Sequence, residues 1–175
     1  MRRAEPFIRK SVKDPASMLG LRLGLALGVC LLMLVVLQRS PTIIKALAPL
    51  DVVIARITAA VLQACGLAVH REAGILAHPA GFSYKIYYNC TGLTAAAFLS
   101  AGLLVLPLPW KTRLAQVLLG AVLVSALNLV RLVSLFYIGV SHLQMFGFFH
   151  TVMWNAAMLA FMLGFWLRAL RSSGI

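Results

Sequence analysis

The sequence predicts an all-α integral membrane protein of about four transmembrane helices, with an extracytoplasmic interfacial helix and a small β-hairpin. Three observations predict it. Hydrophobic residues make up 62% of the chain and charged residues 11%, and the mean hydropathy is +0.95, well beyond a soluble globular chain. Apolar runs close to the ~20 residues that cross a hydrocarbon core recur along its length. The formal charge of +12 is dispersed in short basic clusters beside those runs. Dispersed in this way it marks topology and lipid headgroup contacts, and it excludes a nucleic-acid-binding face.

Residues 1–17 carry Arg2, Arg3, Arg9, Lys10 and Lys13 and read as a cytoplasmic basic tail. The tail and the apolar run after it resemble a signal peptide, but no small-residue cleavage site closes the run, so 18–37 is expected to stay as span 1. Residues 38–89 form an extracytoplasmic insert. Its first part, "TIIKALAPLDVVIARITAAVLQACGL" at 42–67, is apolar yet carries Lys45, Pro49, Asp51 and Arg56. Arg56 and Gln63 are seven apart, as are Asp51 and Thr58, which draws polar lines along a helix and suits an interfacial helix better than a span. A hairpin follows, with strands near 68–76 and 82–88, and "HPAG" supplies the turn residues between them.

Span 2 covers 90–108, and a cytoplasmic loop follows at 109–113. Span 3 covers 114–140, an outer loop 141–149, span 4 150–167, and a cytoplasmic tail 168–175. Loop charge decides the count. With four spans the N-terminus, Lys111 with Arg113, and Arg168 with Arg171 all face the cytoplasm, as the positive-inside rule requires; a fifth span through 42–67 would put the last two outside. No fixed-period repeat and no low-complexity linker divides the chain, so a single membrane domain is expected.

This topology gathers three unusual polar residues at the outer side. Cys90 opens span 2, preceded by Asn89, a good N-cap, and followed by Thr91 and Gly92. Arg131 lies in the outer half of span 3 at ~1.5 Å per residue. A charge there is disfavoured by ~2.5–3.5 kcal/mol and usually faces protein. Asn128 stands three residues before it, about 60° away around the helix. His150 opens span 4. At a helix N-terminus the free amides and the dipole favour a thiolate, and the same amides can hold a developing oxyanion, with Gly92 allowing close backbone approach. A histidine beside it can take the thiol proton and return it to a leaving amine. This is the chemistry of a cysteine acyl-transfer site.

At these residues the sequence resembles the exosortase/archaeosortase family of membrane transpeptidases, and it is most similar to the short exosortase H type. That family has a Cys in a C-[TS]-G context opening a span, an Arg deep in a later span and a His at the start of the next. Here "NCTG", "NLVR" and "FFHTVMW" supply Cys90, Arg131 and His150 in that order. The resemblance implies a cysteine nucleophile that forms a thioester while cleaving a C-terminal sorting signal, a motif followed by a transmembrane segment and a basic tail, on secreted proteins. The protein is then passed to an acceptor at the cell surface. The resemblance further implies the bacterial inner membrane, both termini cytoplasmic, and an active site facing the periplasm, with no cofactor, metal or nucleic acid and with membrane lipids as neighbours.

Three other readings compete. His70, His78, His142 and His150 fall on the outer side and imidazole suits zinc or copper, although no i, i+4 pair or carboxylate cluster accompanies them. A non-enzymatic four-span assembly or chaperone subunit would treat Cys90, Arg131 and His150 as packing. Finally, Cys65 and Cys90 share the outer side and can pair as a disulfide, although Cys30, Cys65 and Cys90 are too few and scattered for a disulfide framework.

Overall fold

The computed structural model describes residues 20–21, 24–25, 28–29, 32, 40–106 and 108–172. The expected basic tail, most of span 1, Cys30, Pro107 and the last three residues lie outside the described residues. The elements run α1 (Pro41–Ala64), β1 (His70–Glu72), β2 (Ile75–Ala77), β3 (Ser83–Lys85), a 3₁₀ turn (Tyr88–Cys90), α2 (Leu93–Val105), α3 (Trp110–Ser141), α4 (Leu143–Phe148), a π turn (Phe149–Met153) and α5 (Trp154–Ser172). Among the described residues three helical stretches are long and apolar enough to cross a membrane: Lys45–Ala64, Trp110–Ser141 and Leu143–Arg171.

The insert holds a three-stranded antiparallel sheet of order β1-β2-β3 rather than the expected two-stranded hairpin. The first expected strand breaks at Ala73 and Gly74, where Glu72 pairs with Ile75 across a two-residue connection. Ala73 takes a φ of 49°, a left-handed conformation that alanine seldom adopts. Ala-Gly carries little turn signal, which is why composition does not show the break. The "HPAG" turn forms between β2 and β3, with Gly81 at φ 95° and its N–H donating to the His78 carbonyl at 3.0 Å.

Helix α2 starts later and is shorter than the expected span 90–108. Its 13 residues measure ~20 Å, against the ~30 Å of a hydrocarbon core. Two devices set its ends. Gly92 stands at the N-cap with φ 80°, and at the other end Arg113 donates from Nη2 to the carbonyls of Leu106 and Leu108 at 2.9 and 3.0 Å. An arginine of the next helix thus satisfies carbonyls that the helix end leaves open.

Helix α3 carries the architecture. Gly120, Val124, Asn128, Leu132 and Phe136 recur every four residues as a buried stripe. The lower half of this stripe packs with Leu99 and Leu103 of α2 and Met158, Met162 and Phe165 of α5. The upper half packs with Ala55, Ala59 and Leu62 of α1 and with Leu76 and Ile86 of the sheet region. Glycines set the closest seams: a Cβ on Gly102 would lie 2.4 Å from the Trp166 indole, and one on Gly139 would lie 2.0 Å from the Phe82 ring. The Trp166 indole also donates to the Leu99 carbonyl at 3.1 Å.

The stretch 141–149, expected as a loop, is helical from Leu143 onward, with His142 at the joint. It continues through the π turn into α5. His150 therefore lies inside a helix rather than at its start.

Candidate active site

Cys90 closes the 3₁₀ turn, and its N–H donates to the Tyr87 carbonyl at 2.7 Å. Helix α2 begins three residues on, so the expectation that Cys90 sits at the helix N-terminus with Asn89 as N-cap is corrected: the cap is Gly92. The side chain of Asn89 lies outside the described residues. The reason for the shift is local hydrogen bonding. Thr91 Oγ1 donates to the Tyr88 carbonyl at 2.6 Å and accepts from the Leu93 N–H at 3.4 Å, so the chain turns once more before the helix starts. The first-turn amides of α2, which a helix cannot satisfy internally, follow directly.

Asn128 joins this turn to α3. It is 2% exposed, and its Nδ2 donates to the Cys90 carbonyl at 2.8 Å. The approach requires glycine at 92, because a Cβ there would lie 3.0 Å from both Cβ and Cγ of Asn128 and the φ of 80° disfavours any side chain. Cys90 is half-buried, and both Cys65 and Cys90 are free thiols. The disulfide reading is therefore overturned: the two do not pair.

Arg131, one helical turn above Asn128, reaches with Nη2 toward the His150 carbonyl at 3.5 Å. Among the described residues its Nε is buried without a partner, as is Oδ1 of Asn128. The imidazole of His150 stacks on Phe146, with ring centroids 5.6 Å apart and planes 12° apart. Phe146 in turn meets Phe82 at 5.5 Å and Tyr84 at 6.4 Å, and both of these rings contact Phe136 of α3. The sheet region thus reaches His150 through a chain of aromatic rings.

Tyr84 belongs to no motif in the sequence, yet it lies beside the site. Its phenol donates to the Leu132 carbonyl at 3.1 Å, next to Arg131 in the chain. Burial pushes the phenol well above the ordinary tyrosine range; the charge of Cys90 acts in the same direction and Arg131 acts against it. Tyr84 is a neutral donor close to both residues. Asn155, also unforeseen, donates from Nδ2 to the Thr151 carbonyl at 2.9 Å. It lines a cavity of about 240 Å³ together with Gly92, Thr94, Asn128 and Arg131. Helical spacing gave no signal for it, because the π turn displaces it from the α-helical register of His150.

The structure thus brings Cys90, Thr91, Gly92 and Asn128 together at one turn, and joins that turn through α3 to Arg131 and His150. The other histidines are elsewhere: His70 is exposed on β1, His78 meets Phe136 edge-on at 6.3 Å, and His142 joins α3 to α4. Among the described residues no three His, Cys, Asp or Glu side chains gather as a ligand group. The profile of the transmembrane exosortases matches residues 17–167. No curated protein and no solved structure gives a significant match.

Proposed function

Since the chain belongs to the transmembrane exosortase family, a family of membrane peptidases and transpeptidases, we propose that it is a cysteine transpeptidase acting on C-terminal sorting signals of secreted proteins. The observation that carries this reading is the Asn128 bridge. It holds the backbone of Cys90 against α3, one helical turn from an arginine that reaches the backbone carbonyl of His150.

In the proposed reaction Cys90 Sγ attacks the carbonyl carbon of the scissile peptide while His150 accepts the thiol proton. Arg131 and the first-turn amides of α2 stabilise the oxyanion. The C–N bond then breaks, and His150 returns the proton to the departing amine, leaving a thioester on Cys90. A surface acceptor attacks the thioester, gives up its proton, and releases the thiol. Arg131 stays charged throughout, because a guanidinium does not deprotonate in this range.

We assign the bacterial inner membrane, with the segments around 1–17, 109–113 and 168–175 cytoplasmic and the site facing the periplasm. Asn128 lies ~27 Å along α3 from Trp110, which supports a nucleophile near the outer boundary of a ~30 Å core. α1 is assigned to the outer interface. What supports this is its packing on the sheet and on the upper half of α3.

The test compares C-termini of surface and secreted proteins by mass spectrometry in cells carrying wild-type protein or Cys90→Ala at matched expression. The expected result is a defined set of proteins that lose processing and retain their tails in Cys90→Ala. Unchanged C-termini with those proteins expressed would remove the enzyme reading and leave an assembly role.

A further inference from the structure

The cavity of about 240 Å³ runs between α2, α3 and α5. One end is polar, with Gly92, Thr94, Asn128, Arg131 and Asn155. The other is apolar, with Phe98, Met158 and Met162. Helical rise separates Asn155 from Met162 by ~10 Å, so the cavity descends away from the Cys90 turn along the three helices. Its rim includes Thr94, half-buried, and Asn155, exposed, so among the described residues it opens at the side between α2 and α5.

Among the described residues, two buried polar atoms of side chains that line it lack partners and lie just behind its surface: Asn128 Oδ1, an acceptor on a residue 2% exposed, and Arg131 Nε, a donor. Buried polar atoms are nearly always satisfied, so a small turn of these two side chains toward the cavity is favoured by a ligand that brings an N–H and a carbonyl close together. A peptide unit does so; an acyl chain brings neither. Size agrees, because the cavity is smaller than the ~300–1,000 Å³ typical of whole small-molecule sites and suits one side chain with its backbone. The methionines line it with unbranched, adaptable surface.

We propose, resting on the transpeptidase reading, that this cavity is the subsite for the substrate residue on the membrane side of the cleaved bond. An apolar side chain descends toward Phe98, Met158 and Met162, and its backbone is held at Asn128 and Arg131. A substrate that is itself a membrane-anchored segment enters through the gap between α2 and α5 without leaving the bilayer. The site thereby selects an apolar residue just after the cut and rejects a charged one.

The test uses one secreted protein whose processing depends on Cys90, with the residue after its cut changed in turn to Ala, Leu, Phe and Asp. Each is coexpressed with wild-type protein, with Ala95→Leu, which narrows the cavity, or with Met162→Ala, which enlarges it; Ala95 also lines the cavity. Gel filtration of each extracted variant verifies folding. In the wild type, Leu or Phe is expected to be processed roughly tenfold better than Asp. Ala95→Leu should lower the Phe-to-Ala processing ratio roughly tenfold, and Met162→Ala should raise it. Opposite shifts from two folded variants do not arise from general destabilisation. Identical preferences in all three proteins, with the unaltered substrate still cut, would overturn the subsite and leave the enzyme standing. Loss of copurifying phospholipid from Ala95→Leu with unmoved preferences would mark a lipid site and equally overturn it. Absence of any Cys90-dependent product would remove both readings.

Discussion

Asn128 spends its amide on the Cys90 carbonyl, so the turn that carries the thiol is held from α3 rather than by its own helix. Asn128→Ala removes the donor and leaves a carbonyl without its partner, at a cost of ~1–3 kcal/mol. It is expected to lower the unfolding temperature in detergent and to speed thiol labelling of Cys90. Unchanged labelling would mean that the turn is fixed without the bridge. Gly92→Ala should cost ~1–2 kcal/mol from the left-handed φ, with crowding of Asn128 in addition. Tyr84 gives a prediction in pH. Its pKa is raised in the folded protein, so the folded state holds its proton where the unfolded chain has lost it. That stability is fully present below the unfolded value of ~10 and declines as pH rises above it. The fall in unfolding temperature between pH 9 and 11 should be shallower in Tyr84→Phe than in wild type. The thiol, the arginine and the histidine stand out in sequence because each is costly or unusual in an apolar run. Tyr84 does not, since a tyrosine beside a membrane has an ordinary interfacial use, and its bond to Leu132 spans 48 residues.

The sheet and the helices meet through a ring cluster whose fit depends on a glycine. At Gly139 the Phe82 ring lies where a side chain would be, and Phe82 leads through Phe146 to the stacked His150 imidazole. Gly139→Ala should displace Phe82, at ~1–3 kcal/mol for overpacking. It is expected to expose the 78–82 turn to protease and to lower processing, although position 139 carries no chemistry. Processing at the wild-type level with the turn still protected would show the cluster to be passive. The helical content of this region was readable from apolar runs, and the turn at "HPAG" from its residue types. The break at Ala73, the late start of α2 and the early start of α4 were not. All three depend on individual dihedral angles or on tertiary partners, such as Asn128 against Gly92, that no window of sequence contains.

Taken as a whole, the molecule is a helical bundle below and a small sheet domain above, joined by α3, whose buried stripe serves both cores. The direction proposed for the bundle rests on positive-inside charge, and labelling tests it. In a background free of Cys30, Cys65 and Cys90, an impermeant thiol reagent applied outside should modify His78→Cys and spare Lys111→Cys until the membrane is opened. The reverse pattern would invert the topology and put the Cys90 turn on the cytoplasmic side. The length of α3 was visible in the sequence, but its division between two cores was not, because both halves read as one continuous apolar run.

The π turn at Phe149–Met153 acts as a gear tooth between the two halves of the last helix. It carries one residue more than a regular turn, and so sets the phase between His150 within it and Asn155, Met158 and Met162 below. Deleting Val152 would let the backbone relax into plain α-helix, the cheaper state, and because the extra residue leaves with the wide turn the two halves would keep their phase to within ~20°. The expected product inserts, folds and still processes, whereas one alanine inserted after Asn155, in plain α-helix, turns Met158 and Met162 by ~100° against His150 and should abolish processing. Circular dichroism and gel filtration would verify folding of both variants and C-terminal mass spectrometry their processing, and an insertion that processes as well as the deletion would show that the phase carries no information.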